Sequence, residues 1–255
     1  MKAVPKDEVP KEAKDLTTTW AMKKNANGKF RVRVNARVFM QVDGKHYHSD
    51  NISSPVTNEA TIRAVLVLSV IFHWTNELID VKGTFLCSNF QEEKPIYMKV
   101  PEGFEKYYQA NVLLLLLRTI YGLKQAATAF WRELTLALKD MRYQKYMEDL
   151  CFYYSWTMTG PVFWLSWIDD CLIAGNEDGV KAAKEQMSQR FDCDDVGKLT
   201  EYVGCRVDRD ENSVKLTQPV LLQSVEDEFG WADNKGKIPA EAGSVLMQNE
   251  HDSLS

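Results

Sequence analysis

Residues 162–174, Val-Phe-Trp-Leu-Ser-Trp-Ile-Asp-Asp-Cys-Leu-Ile-Ala, constrain the fold more than any other part of the chain. Two apolar runs, 162–168 and 171–174, have the length and β-rich composition of strands, and only Asp169 and Asp170 separate them. The expectation is a hairpin with both carboxylates at its tip. Aspartate is common in turns, so an ordinary turn is one reading. The other begins from electrostatics: two like charges between buried strands repel and raise each other's pKa unless a cation neutralises them. Magnesium, usually held by one or two carboxylates plus substrate phosphates, has the right chemistry, and this reading requires a third carboxylate elsewhere.

Composition narrows the class. With 255 residues, 45% of them apolar, the chain can bury the core of one or two domains. Its longest unbroken apolar run, 112–117, is far shorter than the roughly 18 residues of a membrane span. The first residues, Met-Lys-Ala-Val-Pro-Lys-Asp-Glu, have no apolar segment behind their charges, unlike a secretory signal. Cys87, Cys151, Cys171, Cys193 and Cys205 are odd in number and lack Cys-x-x-Cys spacing, which argues against a disulfide framework or a zinc site. An intracellular, reduced protein without membrane association is expected. The net charge of −5 is unevenly spread. Residues 21–45 carry Lys23, Lys24, Lys29, Arg31, Arg33, Arg37 and Lys45 against Asp43 alone, leaving 24 basic and 35 acidic residues elsewhere. A basic segment on an acidic body suits either a phosphate-binding face or a solvated surface hairpin.

In chain order, residues 1–18 read as a loose leader. Residues 19–22 and 30–41 read as two strands joined by Asn25-Ala26-Asn27-Gly28, with Arg31, Arg33 and Arg37 of one parity and therefore on one face. The His46-x-His48 pair lacks the second ligand pair of a zinc site. Residues 57–61 offer helix caps before an apolar helix over 62–74, in which His73 reads as a core or end-of-helix residue. Asp80 lies in an apolar strand start over 78–86 and needs a partner there. Pro95, Pro101 and Gly103 break up the next stretch, and 112–120 reads as a strand or a short helix. Amphipathic helices are expected over 126–141 and 178–191, strands over 201–207 and 213–216, a last helix over 219–229 closed by Gly230, and a frayed polar tail beyond. The stretch 192–197 has the acidic spacing of a calcium loop, but Val203 stands where its closing glutamate would be.

Several of these stretches together resemble the reverse transcriptase domain of copia-type long-terminal-repeat retrotransposons. Asp80-Val81-Lys82-Gly83-Thr84-Phe85-Leu86 is similar to the family's first metal motif, Asp-Val-Lys-(Thr/Gly)-Ala-Phe-Leu. The stretch Ile96-Tyr97-Met98 with Pro101-Glu102-Gly103-Phe104 is the second match, and Tyr121-Gly122-Leu123-Lys124-Gln125-Ala126 followed by Trp131 resembles the third. Trp167-Ile168-Asp169-Asp170 stands for Tyr-Val-Asp-Asp, and Val196-Gly197-Lys198 with Tyr202-Val203-Gly204 for the downstream Leu-Gly-Glu and Tyr-Phe-Leu-Gly. Five collinear matches over about residues 19–230 are specific where any one alone is weak.

The resemblance implies an α+β, right-hand polymerase architecture of fingers and palm, a mixed or antiparallel sheet backed by helices, with the palm over about 78–90 and 121–230 and a polar tail over 231–255. It implies RNA-directed DNA synthesis by two-metal nucleotidyl transfer from a deoxynucleotide to a primer 3′-hydroxyl. Asp80, Asp169 and Asp170 would hold two Mg2+ ions, with Mn2+ as the substitute, and Asp80 is the missing third carboxylate. Phe85 would crowd a ribose 2′-hydroxyl, Gln125 would contact the incoming nucleotide, Arg33 would clamp its triphosphate, and Lys23 and Arg37 would contact template or phosphate. Implied partners are an RNA template, a DNA primer, deoxynucleotides and other Pol polyprotein segments such as ribonuclease H and integrase. The implied setting is a cytoplasmic virus-like particle or the nucleus. The alternative is a catalytically silent remnant that binds nucleic acid at most through residues 21–45. Departures from the motifs are Trp167 for Tyr, Thr84 for Ala beside Phe85, Val38 for Gly, and Ala127 and Leu150 for prolines. Thr84 is expected to bring a hydroxyl close to the nucleotide, and Val38 to strain a turn suited to glycine.

Overall fold

The computed structural model describes residues 1–24, 28–88 and 95–229. From the amino end come β1 (Lys2–Pro5), β2 (Thr18–Lys24), β3 (Phe30–Ala36), helix α1 (Glu59–Ile71), β4 (Thr75–Val81), the one-turn α2 (Thr84–Cys87), β5 (Tyr97–Met98) and β6 (Val112–Leu115). Helix α3 (Ala126–Asp140) leads to β7 (Gln144–Lys145), β8 (Phe152–Thr157), β9 (Gly160–Trp167) and β10 (Asp170–Gly175). Helix α4 (Glu177–Arg190) leads to β11 (Cys193–Lys198), β12 (Glu201–Tyr202), β13 (Cys205–Arg209) and β14 (Val214–Thr217). The chain divides into two units, residues 1–216 and 217–255, and α5 (Pro219–Phe229) is the described helix of the second.

The central sheet has the strand order β11-β4-β10-β9-β8-β7, and its pairs are antiparallel. Its middle strand β10 is buried from Cys171 to Gly175, so both faces must be covered. Alternation along β4 and β10 divides the cover. Ile79, Val81, Cys171 and Ile173 meet Phe130, Leu134 and Leu138 of α3 and Val180, Ala183 and Met187 of α4. Leu78, Leu172 and Ala174 meet Ile62, Val65 and Leu66 of α1 on the opposite face, together with Tyr202 and Val207. Each fully buried aliphatic side chain in such layers contributes about 1.5–3 kcal/mol relative to exposure. The α+β, helix-backed antiparallel sheet expected above is the architecture the chain adopts.

Local chemistry sets the helix ends. The Asn58 side chain accepts from the Ala60 N–H at 2.9 Å and starts α1, and the Asn176 side chain accepts from the Gly179 N–H at 2.7 Å and starts α4. One charged group is buried under α4: Lys184 reaches both Glu77 of β4 and Asp195 of β11, stitching the helix to two strands.

A second layer, with strand order β1-β6-β5, shares a core of Leu16, Ile96, Met98, Leu114 and Leu116 with Ile120, Leu123 and Ala126. Residues 1–18 are therefore not a loose leader. Lys2 to Pro5 pair in register with Leu115 to Val112, and Leu16 is wholly buried. The ambiguous stretch 112–120 is a strand only over Val112–Leu115, where β6 sends Leu114 into this core, and Leu116 and Ile120 reach the same core from the irregular segment after it.

The ribbon β2–β3 stands apart as a two-stranded sheet. Its second strand ends at Ala36 rather than running to 41, and a 3-10 turn, Val38–Met40, follows. Arg37 sits at the start of that turn and so leaves the strand on which Arg31 and Arg33 alternate. Val38 has no left-handed backbone, so the strain expected from replacing glycine is absent. The Asn25-Ala26-Asn27 turn, the Gly230 helix end and the polar tail lie outside the described residues.

Candidate active site

Trp167 pairs with Asp170, so the hairpin turn is Ile168-Asp169, one residue earlier than expected, and Asp170 is the first residue of β10. Ile168 takes φ 57°, a left-handed conformation that a β-branched side chain adopts only when the surroundings enforce it. Asp80, near the end of β4, stands opposite Asp170 on one side and opposite Asp194 of β11 on the other. Directly opposed residues share a sheet face. Asp170, Asp80 and Asp194 thus form a row across three strands, and the Asp169 carbonyl accepts from the Val81 N–H at 3.2 Å, which ties the turn to β4.

The row is electrostatically costly. Partial withdrawal from water, then the charges of Asp169 and Asp194, hold the Asp80 carboxyl above the usual aspartate range, while Arg31 and Lys82 pull it down. For Asp170, whose residue still reaches solvent, partial withdrawal from water, then the charges of Asp169 and Asp80, raise the carboxyl likewise. Lys82 neutralises the far end, with its ammonium 2.7 Å from Asp194 and 3.4 Å from Asp192. Asp194, Lys82 and Arg31 are participants that the linear sequence did not single out. Arg31 was legible as a basic residue of the right strand parity; Asp194 required knowing which residue of β11 opposes Asp80.

These carboxylates are a hard, all-oxygen donor set whose mutual repulsion a divalent cation would relieve, and that chemistry fits magnesium. Among the described residues no three acidic, histidine or cysteine side chains already converge as a ligand group. Magnesium does not require that, because it keeps waters and takes substrate phosphate oxygens alongside one or two carboxylates.

A second group lies on the ribbon and the segment before α3. Lys23 opposes Arg31 and Ala21 opposes Arg33, so Lys23, Arg31 and Arg33 line one face, with Arg37 off it. The Arg33 guanidinium lies over the Tyr121 ring at 4.4 Å, and Tyr121 meets the Phe85 ring edge-on at 5.0 Å. Tyr121 is the aromatic residue of this wall that motif reading passed over. Gln125 is elsewhere: it is 3% exposed, its amide donates to the His46 carbonyl at 2.9 Å and its oxygen accepts from Gln41 at 3.0 Å. A side chain so committed ties residues 41–46 to α3, with both ends of its amide engaged inside the protein. Thr84 is buried too, and its hydroxyl donates to the Val81 carbonyl at 2.6 Å, so that donor is committed to the backbone. His46 is structural, accepting from the Val42 N–H at 2.9 Å and meeting the Lys14 carbonyl at 2.7 Å through its other ring nitrogen.

A family model described as reverse transcriptase (RNA-dependent DNA polymerase) matches residues 5–242. The retrovirus-related Pol polyprotein from transposon TNT 1-94 of Nicotiana tabacum is 30% identical over 252 residues, 95% of this chain and 19% of that protein. The corresponding polyprotein from transposon RE1 of Arabidopsis thaliana is 28% identical over 200 residues, 77% of this chain and 13% of the relative. The chain spans about a fifth or less of the length of these curated relatives. Among solved structures, an apo telomerase from Candida tropicalis, truncated from its C-terminal domain, aligns with a TM-score of 0.44 and 12% identity, over 84% of this chain and 57% of that one. That likeness is too loose to carry an argument.

Proposed function

The chain belongs to the reverse transcriptase family of retrotransposon Pol polyproteins, and we propose that it supplies the fingers and palm of an RNA-directed DNA polymerase. The observation that carries this reading is the register of β10 on β4, which sets Asp170 opposite Asp80 with Asp169 in the adjoining turn. Asp80, Asp169 and Asp170 would hold magnesium or manganese. Two such ions, when bound, supply activation of a primer 3′-hydroxyl and neutralisation of the departing pyrophosphate.

The protein's own groups do the rest. Arg33 spends its flat face on Tyr121, which leaves its in-plane N–H donors for a triphosphate. Arg31 and Lys23 on the same ribbon face add positive charge for backbone phosphates, and Arg37 does so from the adjoining turn. Phe85, half-buried on α2, supplies the bulk that excludes a ribose 2′-hydroxyl and so selects deoxynucleotides. Among the described residues no helix is long and apolar enough to cross a membrane. Template RNA, DNA primer, other Pol segments and an intracellular setting complete the proposal.

The test is primer extension on an RNA template with magnesium and labelled deoxynucleotide, alongside Asp169→Asn. Metal-dependent extension by the wild type, lost in the variant, is the expected result. Undiminished extension by Asp169→Asn would overturn the site assignment. A folded chain that binds primer–template but extends nothing would overturn the polymerase reading in favour of nucleic-acid binding alone.

A further inference from the structure

Phe85 is held from two directions. Its carbonyl accepts from Thr119 Oγ1 at 2.6 Å, and its ring meets the Tyr121 ring at an interplanar angle of 74°. Tyr121 is itself fixed from behind. Arg33 covers its ring, its carbonyl accepts from the Ala36 N–H at 2.8 Å, and the following Gly122 lies hard against the Ala36 backbone. Phe85, Tyr121 and Arg33 are each half-buried, so the three form a wall with one side open.

We propose that Tyr121 is a specificity-setting positioning residue: acting through Phe85, it fixes how far that ring reaches toward the ribose 2′ position. The inference rests on the reading of Phe85 as the group that excludes ribonucleotides. Steric exclusion works only if the excluding ring does not yield, and a half-buried phenylalanine backed by water has other staggered rotamers to adopt. An aromatic edge contact removes that freedom, and tyrosine supplies it with few torsions of its own to freeze. The Arg33 stack then links the ring to the basic ribbon, so the residue suited to a triphosphate and the residue that reads the sugar share one support. Gln125, four residues on, cannot serve, because its amide is bonded to Gln41 and His46.

The experiment compares deoxy- and ribonucleotide use by wild type, Phe85→Ala, Tyr121→Leu, Tyr121→Phe and Arg33→Met. Two readouts are taken: the ratio of kcat/KM values in single-nucleotide extension, and the ratio of dissociation constants for dNTP and rNTP on the primer–template complex with calcium in place of magnesium. The second needs no turnover. Phe85→Ala is expected to lose discrimination. Tyr121→Leu should reduce it about three- to tenfold, mostly through a lower KM for the ribonucleotide, in line with the strength of one aromatic contact. Tyr121→Phe keeps the ring and should keep the ratio, while Arg33→Met should reduce it about twofold. A wild-type ratio in Tyr121→Leu beside a collapsed ratio in Phe85→Ala would overturn the positioning role and leave the Phe85 reading standing. A wild-type ratio in Phe85→Ala, or no binding of either nucleotide, would overturn both. Should Tyr121→Leu fail to fold, the other two variants still decide the matter: an unchanged ratio in Arg33→Met, or a collapsed ratio in Tyr121→Phe, contradicts support of Phe85 through the stacked ring.

Discussion

Gly122→Ala tests how the segment before α3 is joined to the ribbon strand β3. Gly122 has φ 84°, and a Cβ there would lie 2.2 Å from the Ala36 carbonyl oxygen and 3.0 Å from the Ala36 nitrogen. Both are backbone atoms, so no side-chain rotation relieves the overlap. Left-handed backbone costs an alanine about 1–2 kcal/mol. Forcing the two backbones apart adds about 1–3 kcal/mol of overpacking. Loss of the 2.8 Å bond from the Ala36 N–H to the Tyr121 carbonyl adds about 1 kcal/mol. The expected destabilisation is about 3–6 kcal/mol, which at about 2–4 °C per kcal/mol lowers Tm by roughly 10 °C or more. Gly197→Ala is the internal control: φ is 85°, yet nothing lies within 4 Å of its added Cβ, so only the backbone cost of about 1–2 kcal/mol applies. Urea denaturation and thermal melts of the two variants measure the difference directly. Equal losses in both would show that the Ala36 contact carries no weight and would refute the reasoning.

Two further perturbations probe the charged groups. Lys184→Met should cost about 2 kcal/mol in urea denaturation, below the usual figure for a broken buried pair because Asp195 is 64% exposed, and adding Glu77→Gln should recover part of it. Burial works against the Lys184 ammonium, yet its hydrogen bonds to Asp195 and Glu77 outweigh that and hold it above 10.5. Its stabilisation is therefore full below about pH 10 and fades as alkaline pH passes the folded value, a loss that Lys184→Met should not show. Asp80 and Asp170 have the opposite sign from a salt-bridged aspartate. Their folded values lie above 3.8, so ionisation opposes folding, and acidification through the folded values relieves the penalty. Asp80→Asn and Asp170→Asn should accordingly raise the metal-free Tm at pH 7 by about 1–2 °C after allowance for solvent screening, and abolish any stabilisation by magnesium. A lower Tm in both variants would contradict the assigned repulsion.

The hairpin and the helices on either side of it were legible because their periodicity is strong and their partners are near in sequence. Where reading failed, the deciding fact was non-local. The turn moved by one residue because Ile168 adopts left-handed backbone, which nothing in a run of apolar residues announces. Residues 1–18 look polar and aperiodic, yet β1 is an edge strand whose partner lies more than a hundred residues on, so its own composition carries little of the signal. Gln125 and Tyr121 stand in one short motif, and linear spacing does not say which side chain faces the wall and which the core. Asp194 joins the carboxylate row through β11, whose register shifts between Asp195 and Gly197, an irregularity invisible to alternation counting.

Strand β1 has a consequence for the life of the chain before it is folded. Its partner β6 begins the longest unbroken apolar run in the protein, Val112 to Leu117, and with β1 in place that strand has neighbours on both sides. Without β1, Val-Leu-Leu-Leu would present an open row of N–H and C=O groups with high β-propensity and no charge, the chemistry of intermolecular strand pairing. The two segments lie more than a hundred residues apart, so their pairing closes a long loop and is entropically slow to form, and until it does that edge of β6 stays open. The least structured-looking residues of the sequence thus cover one edge of the strand that opens its longest apolar run.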